Sequence, residues 1–154
     1  MKRLLLVNGP NINLLGMREK EIYGDFSLKD IVRNLASLTK QYGYTIDDFQ
    51  SNHEGELIDR LQEANGQYNG IIFNPAAYTH TSIALRDVIK AIDTPVIEVH
   101  ISNVHQRESF RHTSMLAPVC YGQIVGLGIS GYRLAALAFI EEHIERNEGH
   151  GENN

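Results

Sequence analysis

Short apolar runs alternate with amphipathic stretches along all 154 residues, and this alternation limits the fold more than any other feature. Leu4-Leu5-Leu6-Val7, Gly70-Ile71-Ile72-Phe73 and Pro95-Val96-Ile97-Glu98-Val99 are too short for helices and end at polar residues, as buried strands do. Tyr44-Thr45-Ile46 with Phe49 begins a second strand, and Gln123-Ile124-Val125 makes a short fifth. Between them lie helical patterns. Ser27 caps the first, with Asp30 three residues on and Leu28, Ile31, Val32, Leu35 and Leu38 at helical spacing. Glu56 to Ala64 and Ser82 to Ile92 follow, and Tyr132 to Arg146 is the last, apolar enough in its first half to pack on more than one surface. Strands alternating with helices make a parallel sheet covered on both faces.

Right-handed crossovers reduce the possible topologies. Five strands of this size suit an α/β, flavodoxin-like three-layer sandwich of strand order 2-1-3-4-5. One domain over residues 1–146 accounts for the length, and the polar residues 147–154 form a tail. Net charge is −5, so bulk electrostatics argues against a nucleic-acid partner. No apolar run reaches the roughly 18 residues of a membrane span, and no signal-peptide core precedes Asn8, so the expected location is cytoplasmic with no membrane partner. The single cysteine, Cys120, sits among apolar residues and reads as a buried structural thiol.

Ligands of open α/β sheets bind beyond the carboxyl ends of the strands, at the switch in strand order. Those ends carry Asn8 and Asn11, then Asn74, then His100 and Ser102, all on one edge of the sheet. The loop from Gly9 to Gly24, after strand 1, far exceeds the usual 2–6 residues of a strand–helix connection. It holds asparagines, Arg18 and Tyr23. Taken singly, the asparagines are explained by turns and His100 by a structural hydrogen bond. Together, the donors, the tyrosine and the histidine suit proton transfer on a small anionic molecule. A metal fits poorly, because His100, His105 and His112 have no zinc spacing and Arg107 and Arg111 would repel a dication. The stretch from Gly126 to Gly131 matches GxGxxG, but no strand carrying an acidic residue follows it. Glycine dihedrals or tight packing explain it better than a dinucleotide. Two rivals remain: a flavodoxin-like module binding phosphate or flavin, and a hydrolase using Ser114 or Ser102 with a histidine.

Three blocks then carry a resemblance. Asn8-Gly9-Pro10-Asn11-Ile12-Asn13-Leu14-Leu15-Gly16 with Arg18-Glu19 and Tyr23-Gly24 is the first. Phe73 through Ser82 (FNPAAYTHTS) is the second, and Glu98 through His105 (EVHISNVH) with Arg107-Glu108, Phe110-Arg111-His112 and Ser114 is the third. In colinear order, to about residue 145, the chain resembles the type II 3-dehydroquinate dehydratases. The resemblance implies trans-elimination of water from 3-dehydroquinate through an enolate, giving 3-dehydroshikimate on the route to chorismate. It implies no metal, no cofactor and no lysine imine, and a homododecamer built as a tetramer of trimers. Carried onto this sequence it implies Tyr23 as base, His100 as general acid, Arg18 as a lid residue stabilising the transition state, and Asn11 holding the water that stabilises the enolate. Asn74, His80, Ile101, Ser102 and Arg111 would bind substrate, the 101–102 segment through its backbone amides, and Asp87 would reach a neighbouring subunit's site. Lys20 and Ser109 stand where the family usually has proline, which frees the backbone at both places. A tyrosine acts as base only where positive charge favours its phenolate, and Arg18 and Arg111 are the expected sources.

Overall fold

The computed structural model describes residues 2–17, 19–142 and 144. Its strands are β1 (Arg3–Asn8), β2 (Thr45–Gln50), β3 (Gly70–Asn74), β4 (Val96–His100) and β5 (Gly122–Val125). Its helices are α1 (Lys20–Tyr23), α2 (Leu28–Lys40), α3 (Glu54–Ala64), α4 (Ile83–Ala91) and α5 (Ser130–Glu141). The strands pair in parallel in the order β2-β1-β3-β4-β5, the flavodoxin-like order expected from the alternation.

Successive residues of a strand face opposite sides of a sheet, and two cores follow. Leu4, Leu6, Ile72, Ile97 and Val99 pack under α2 and α5, while Leu5, Val7, Ile71, Phe73 and Val96 pack under α3 and α4. Both faces of β1, β3 and β4 are covered, which is why these strands are almost wholly apolar. β2 is an edge strand and keeps Asp47 and Asp48 exposed.

The ends of the elements follow local chemistry. Ser27 and Asp30 form a complete capping box at the start of α2. α4 runs between Ser82, which accepts the Leu85 N–H, and Ile92. α3 begins at Glu54, two residues before its apolar periodicity becomes legible, because Glu54 and Gly55 carry no apolar signal and the Ser51 hydroxyl accepts the His53 N–H just ahead of it. α5 begins two residues early, at Ser130, and ends at Glu141 rather than Arg146; Glu142 and Ile144 are not helical, and residues 143, 145 and 146 lie outside the described residues. Its buried stripe of Tyr132, Ala135, Ala136, Phe139 and Ile140 packs on β3, β4, β5 and α2. Contacts within the chain therefore account for that stripe, while Leu134 on the same helix stays 44% exposed.

The Gly9–Gly24 segment is not featureless. Ile12–Leu14 makes a 3-10 turn and Lys20–Tyr23 a single helical turn. Gly9 donates to the Asn74 carbonyl at 2.7 Å, and a Cβ there would lie 2.6 Å from the Pro75 carbonyl oxygen. Only glycine lets the β1 and β3 loops approach this closely.

Candidate active site

Beyond the carboxyl ends of β1, β3 and β4 lies a cavity. Asn11, Tyr23, Asn74, His80, His100, Ile101, Ser102 and Arg111 all line it. Asn8 does not; its side chain is buried beneath. Asp87 is exposed on α4 and stands away from the cavity of its own chain. Arg18 falls outside the described residues.

Register explains how the two sides of the cavity are built. Asn8 and Asn74 are paired neighbours on β1 and β3, and their side chains enter the core beneath α5 through Tyr132. Glu98 and His100, two residues apart on β4, both point to the opposite face, where Thr79 and Ser114 meet Glu98. The Ala76 N–H donates to Asn74 Oδ1 at 3.0 Å, an Asx-turn that holds Ala76 at a positive φ of 52°. Asn11 also has a positive φ, 70°, and its N–H donates to Asn52 Oδ1 at 3.0 Å. Gln50 Nε2 donates to the Gly9 carbonyl at 3.2 Å, so the end of β2 braces the start of the long loop.

The histidine is tethered from beneath. His100 Nε2 lies 2.5 Å from Glu98 Oε2, and Glu98 is fully buried. Thr79 Oγ1 (2.7 Å), Ser114 Oγ (2.8 Å) and Gln123 Nε2 (3.0 Å) also donate to the carboxylate. Burial alone would raise the Glu98 pKa. The bond and charge of His100, then the bonds from Thr79 and Gln123, outweigh it and hold the carboxyl below its ordinary range. The tether occupies Nε2, and the His100 ring lines the cavity. His80 lies nearly parallel to His100, with ring centroids 6.5 Å apart. Burial lowers its pKa, the Thr113 carbonyl at His80 Nδ1 opposes that shift, and the charges of His100 and Arg111 add to it.

Tyr23 is met by an arginine the sequence reading did not single out. Arg107 Nη1 donates to the Tyr23 hydroxyl oxygen at 2.8 Å, and its guanidinium carbon lies 5.5 Å from the ring centroid. The same nitrogen reaches Ser102 Oγ at 3.4 Å. Arg111, one of the two expected sources of charge, turns instead to Glu108, with Nε to Oε2 at 2.7 Å, and Arg18, the other, lies outside the described residues. Arg107 and Tyr23 are 84 residues apart, so nothing in the local sequence selects Arg107 over Arg111. Glu98 did carry a signal, since a charged residue inside an apolar strand must be partnered.

Ile101 and Ser102, directly after β4, line the cavity. Among the described residues no three His, Cys, Asp or Glu side chains converge as a metal site.

A profile of the class II dehydroquinase family matches residues 2–140. The chain is 57% identical over 141 residues to the 3-dehydroquinate dehydratase of Anoxybacillus flavithermus, covering 92% of this chain and 95% of that protein. It is 53% identical over 139 residues to the one from Sulfurovum sp., covering 90% and 86%. The chain belongs to the class II dehydroquinase family. Among solved structures, it superposes on type II dehydroquinase from Propionibacterium acnes with a TM-score of 0.88 at 35% identity, covering 92% of this chain and 97% of that one. For the enzyme from Butyrivibrio crossotus the TM-score is 0.85 at 48% identity, covering 87% and 94%.

In this chain neither serine is set up as a nucleophile. Ser114 Oγ is held by Glu98 and accepts the Leu116 and Ala117 N–H groups, while Ser102 Oγ meets Arg107 rather than a histidine. The glycine-rich turn also has a structural explanation. Gly126 and Gly128 adopt φ values of 84° and 62°, and a Cβ on Gly131 would lie 3.2 Å from Val99. Cys120 is buried, and burial followed by the Glu98 charge raises its pKa far above the ordinary thiol value.

Proposed function

We propose that this chain is a hydro-lyase converting 3-dehydroquinate to 3-dehydroshikimate, with Tyr23 as base and His100 as general acid. The observation that carries the reading is the pairing within one cavity. A tyrosine whose oxygen accepts from Arg107 lies there with a histidine tethered to a buried carboxylate. The phenolate oxygen takes the proton beside the substrate ketone, and the C–H electrons move into an enolate. The enolate then re-forms the ketone and expels the β-hydroxyl, which takes a proton from His100 and leaves as water. One C–H and one C–O bond break, a conjugated C=C bond forms, and both side chains re-equilibrate with solvent. Preorganised donors around the developing enolate lower the barrier to the first step.

The remaining roles extend the family resemblance. The Ile101 and Ser102 amides hold the carboxylate. Asn74, His80 and Arg111 contact the rest of the substrate. Asn11 holds the water that stabilises the enolate, and Arg18 closes over the site. Asp87 serves a neighbouring subunit. It shares a helix face with Ile83, four residues before it and 59% exposed, as a subunit contact would require. The assembly is a cytoplasmic homododecamer.

The test mixes purified protein with 3-dehydroquinate and follows absorbance at the conjugated-enone band of the product. Turnover should survive chelator and borohydride. Inactivation by borohydride in the presence of substrate points to an imine and overturns the mechanism.

A further inference from the structure

From Asn74 at the cavity a buried polar chain runs into the core, and the proposed reaction gives no role to its other two members, Tyr132 and Asn8. Asn74, Tyr132 and Asn8 are 2%, 0% and 1% exposed. Asn74 Nδ2 donates to Tyr132 Oη at 2.8 Å, and Tyr132 Oη donates to Asn8 Oδ1 at 2.7 Å. Among the described residues Asn8 Nδ2 has no partner.

The direction of every bond in this chain is fixed from one end. A backbone N–H can only donate, so the Ala76 N–H bonded to Asn74 identifies the accepting atom as Oδ1. That removes the usual ambiguity in orienting an asparagine amide. The other atom, Nδ2, must then be the donor to Tyr132. A phenol has one proton, and burial pushes the Tyr132 pKa far above its ordinary value, so the proton stays on. With its oxygen accepting from Asn74, the phenol gives that proton to Asn8. Nδ2 has two hydrogens and Tyr132 takes one. The second belongs to an amide that lines the cavity.

Packing alone does not explain this arrangement. Phenylalanine at 132 opposite an apolar residue at 8 would bury similar volume without enclosing polar atoms, and replacing both partners of a buried hydrogen bond in this way is often neutral. The chain instead buries three polar side chains and leaves one N–H2 group unpaired, a feature that calls for an explanation beyond stability.

We infer that Tyr132, anchored by Asn8, is a positioning residue that locks Asn74 as a hydrogen-bond donor toward an acceptor oxygen of the substrate. The inference rests on the proposed reaction. The geometry excludes the flipped amide, which would present Oδ1 to Tyr132 and leave the Ala76 N–H without its acceptor.

The test is a double-mutant cycle on the intact enzyme, with kcat and KM for 3-dehydroquinate measured well below each variant's Tm. The variants are Tyr132→Phe, Asn74→Ala and the pair. A residue that acts only through Asn74 loses its effect once the amide is gone. Tyr132→Phe should reduce kcat/KM about tenfold in the native background, equivalent to about 1.4 kcal/mol, and less than twofold in the Asn74→Ala background. Equal losses in both backgrounds, or a lower Tm with unchanged kinetics, overturn the inference, as does wild-type turnover by Asn74→Ala. If Tyr132→Phe does not fold, Asn8→Ala keeps the phenol, removes its acceptor and enters the same cycle. The crystal structure of Tyr132→Phe reads the positioning without any turnover. A flipped or displaced Asn74 amide supports it, and an unmoved one overturns it. Failure of the unaltered protein to dehydrate 3-dehydroquinate overturns the reaction assignment instead, and that structure then judges the positioning role alone.

Discussion

Glu98 has no exposed surface, yet it carries a carboxylate bonded to Thr79, His100, Ser114 and Gln123. Such a group couples stability to pH. The folded state holds the Glu98 proton more weakly than the unfolded chain does. Its stabilisation is therefore complete above the unfolded value of about 4.3 and is lost as pH falls through the lower folded value. His80 acts in the same direction. Its pKa is also lowered on folding, so its contribution is present above about 6.5 and fades on acidification. Thermal unfolding followed from pH 7 downward should show Tm falling first below about 6.5 and again below about 4.3, with Glu98→Gln reducing the second fall, to which Asp47, lowered by its bond from Tyr68, also contributes. A Tm that stays level to pH 3 sinks both assignments. At the Tyr23 oxygen the decisive measurement is exchange of the substrate's acidic proton with solvent. Tyr23→Phe should show none, because no oxygen remains to take it. Arg107→Ala should lose about 10- to 100-fold in kcat, as expected for a hydrogen bond to a charged group worth about 1.5–3 kcal/mol. Arg107→Lys should recover only part, since it keeps the charge and loses the planar fork. Wild-type exchange by Tyr23→Phe removes Tyr23 from the role of base.

At the scale of elements, the site depends on where loops meet, and not every well-formed helix end matters to it. The Ser27–Asp30 capping box lies at the start of α2, and neither residue lines the cavity. Ser27→Ala should cost about 1 kcal/mol of stability and leave kcat and KM unchanged. Gly9→Ala is the contrasting case. A Cβ 2.6 Å from the Pro75 carbonyl oxygen forces the β1 and β3 loops apart, and Asn11 and Asn74 move with them. Activity should fall at temperatures where the protein is still folded by circular dichroism. If Gly9→Ala lowers Tm alone, the close approach serves stability rather than the site. The sequence marked the first by its capping pattern and held Gly9 only as the start of the long loop. Only the packed structure distinguishes their consequences.

For the whole molecule the prediction concerns assembly. Ile83, Phe110 and Leu127 are 59%, 64% and 54% exposed on the single chain, apolar surface of the kind that subunit contacts cover. Light scattering under assay conditions should give about twelve times the 17.3 kDa chain mass, and a monomer mass refutes the assembly. Asp87→Ala should be weakly active even though Asp87 stands away from its own cavity. Co-assembling Asp87→Ala with Tyr23→Phe should restore part of the activity, because some sites then combine a native Tyr23 with a neighbour's native Asp87. Mixed oligomers with no recovery place Asp87 outside the site.

Legibility divides along the range of the forces involved. Burial on both faces makes β1, β3 and β4 continuous apolar runs, and alternation with amphipathic helices makes their order parallel. Strand count, sheet order and the edge carrying Asn11, Asn74, His100 and Ser102 could therefore be read before any coordinates. The starts of α3 and α5 could not, because glycine and polar first turns leave no periodic trace. Pairings between distant residues belonged to tertiary structure alone. Arg107 rather than Arg111 meets Tyr23, and Asn74 reaches Asn8 only through Tyr132. A hydrogen bond is decided within about 3 Å, and only the packed sheet brings residues 58 to 124 positions apart to that distance.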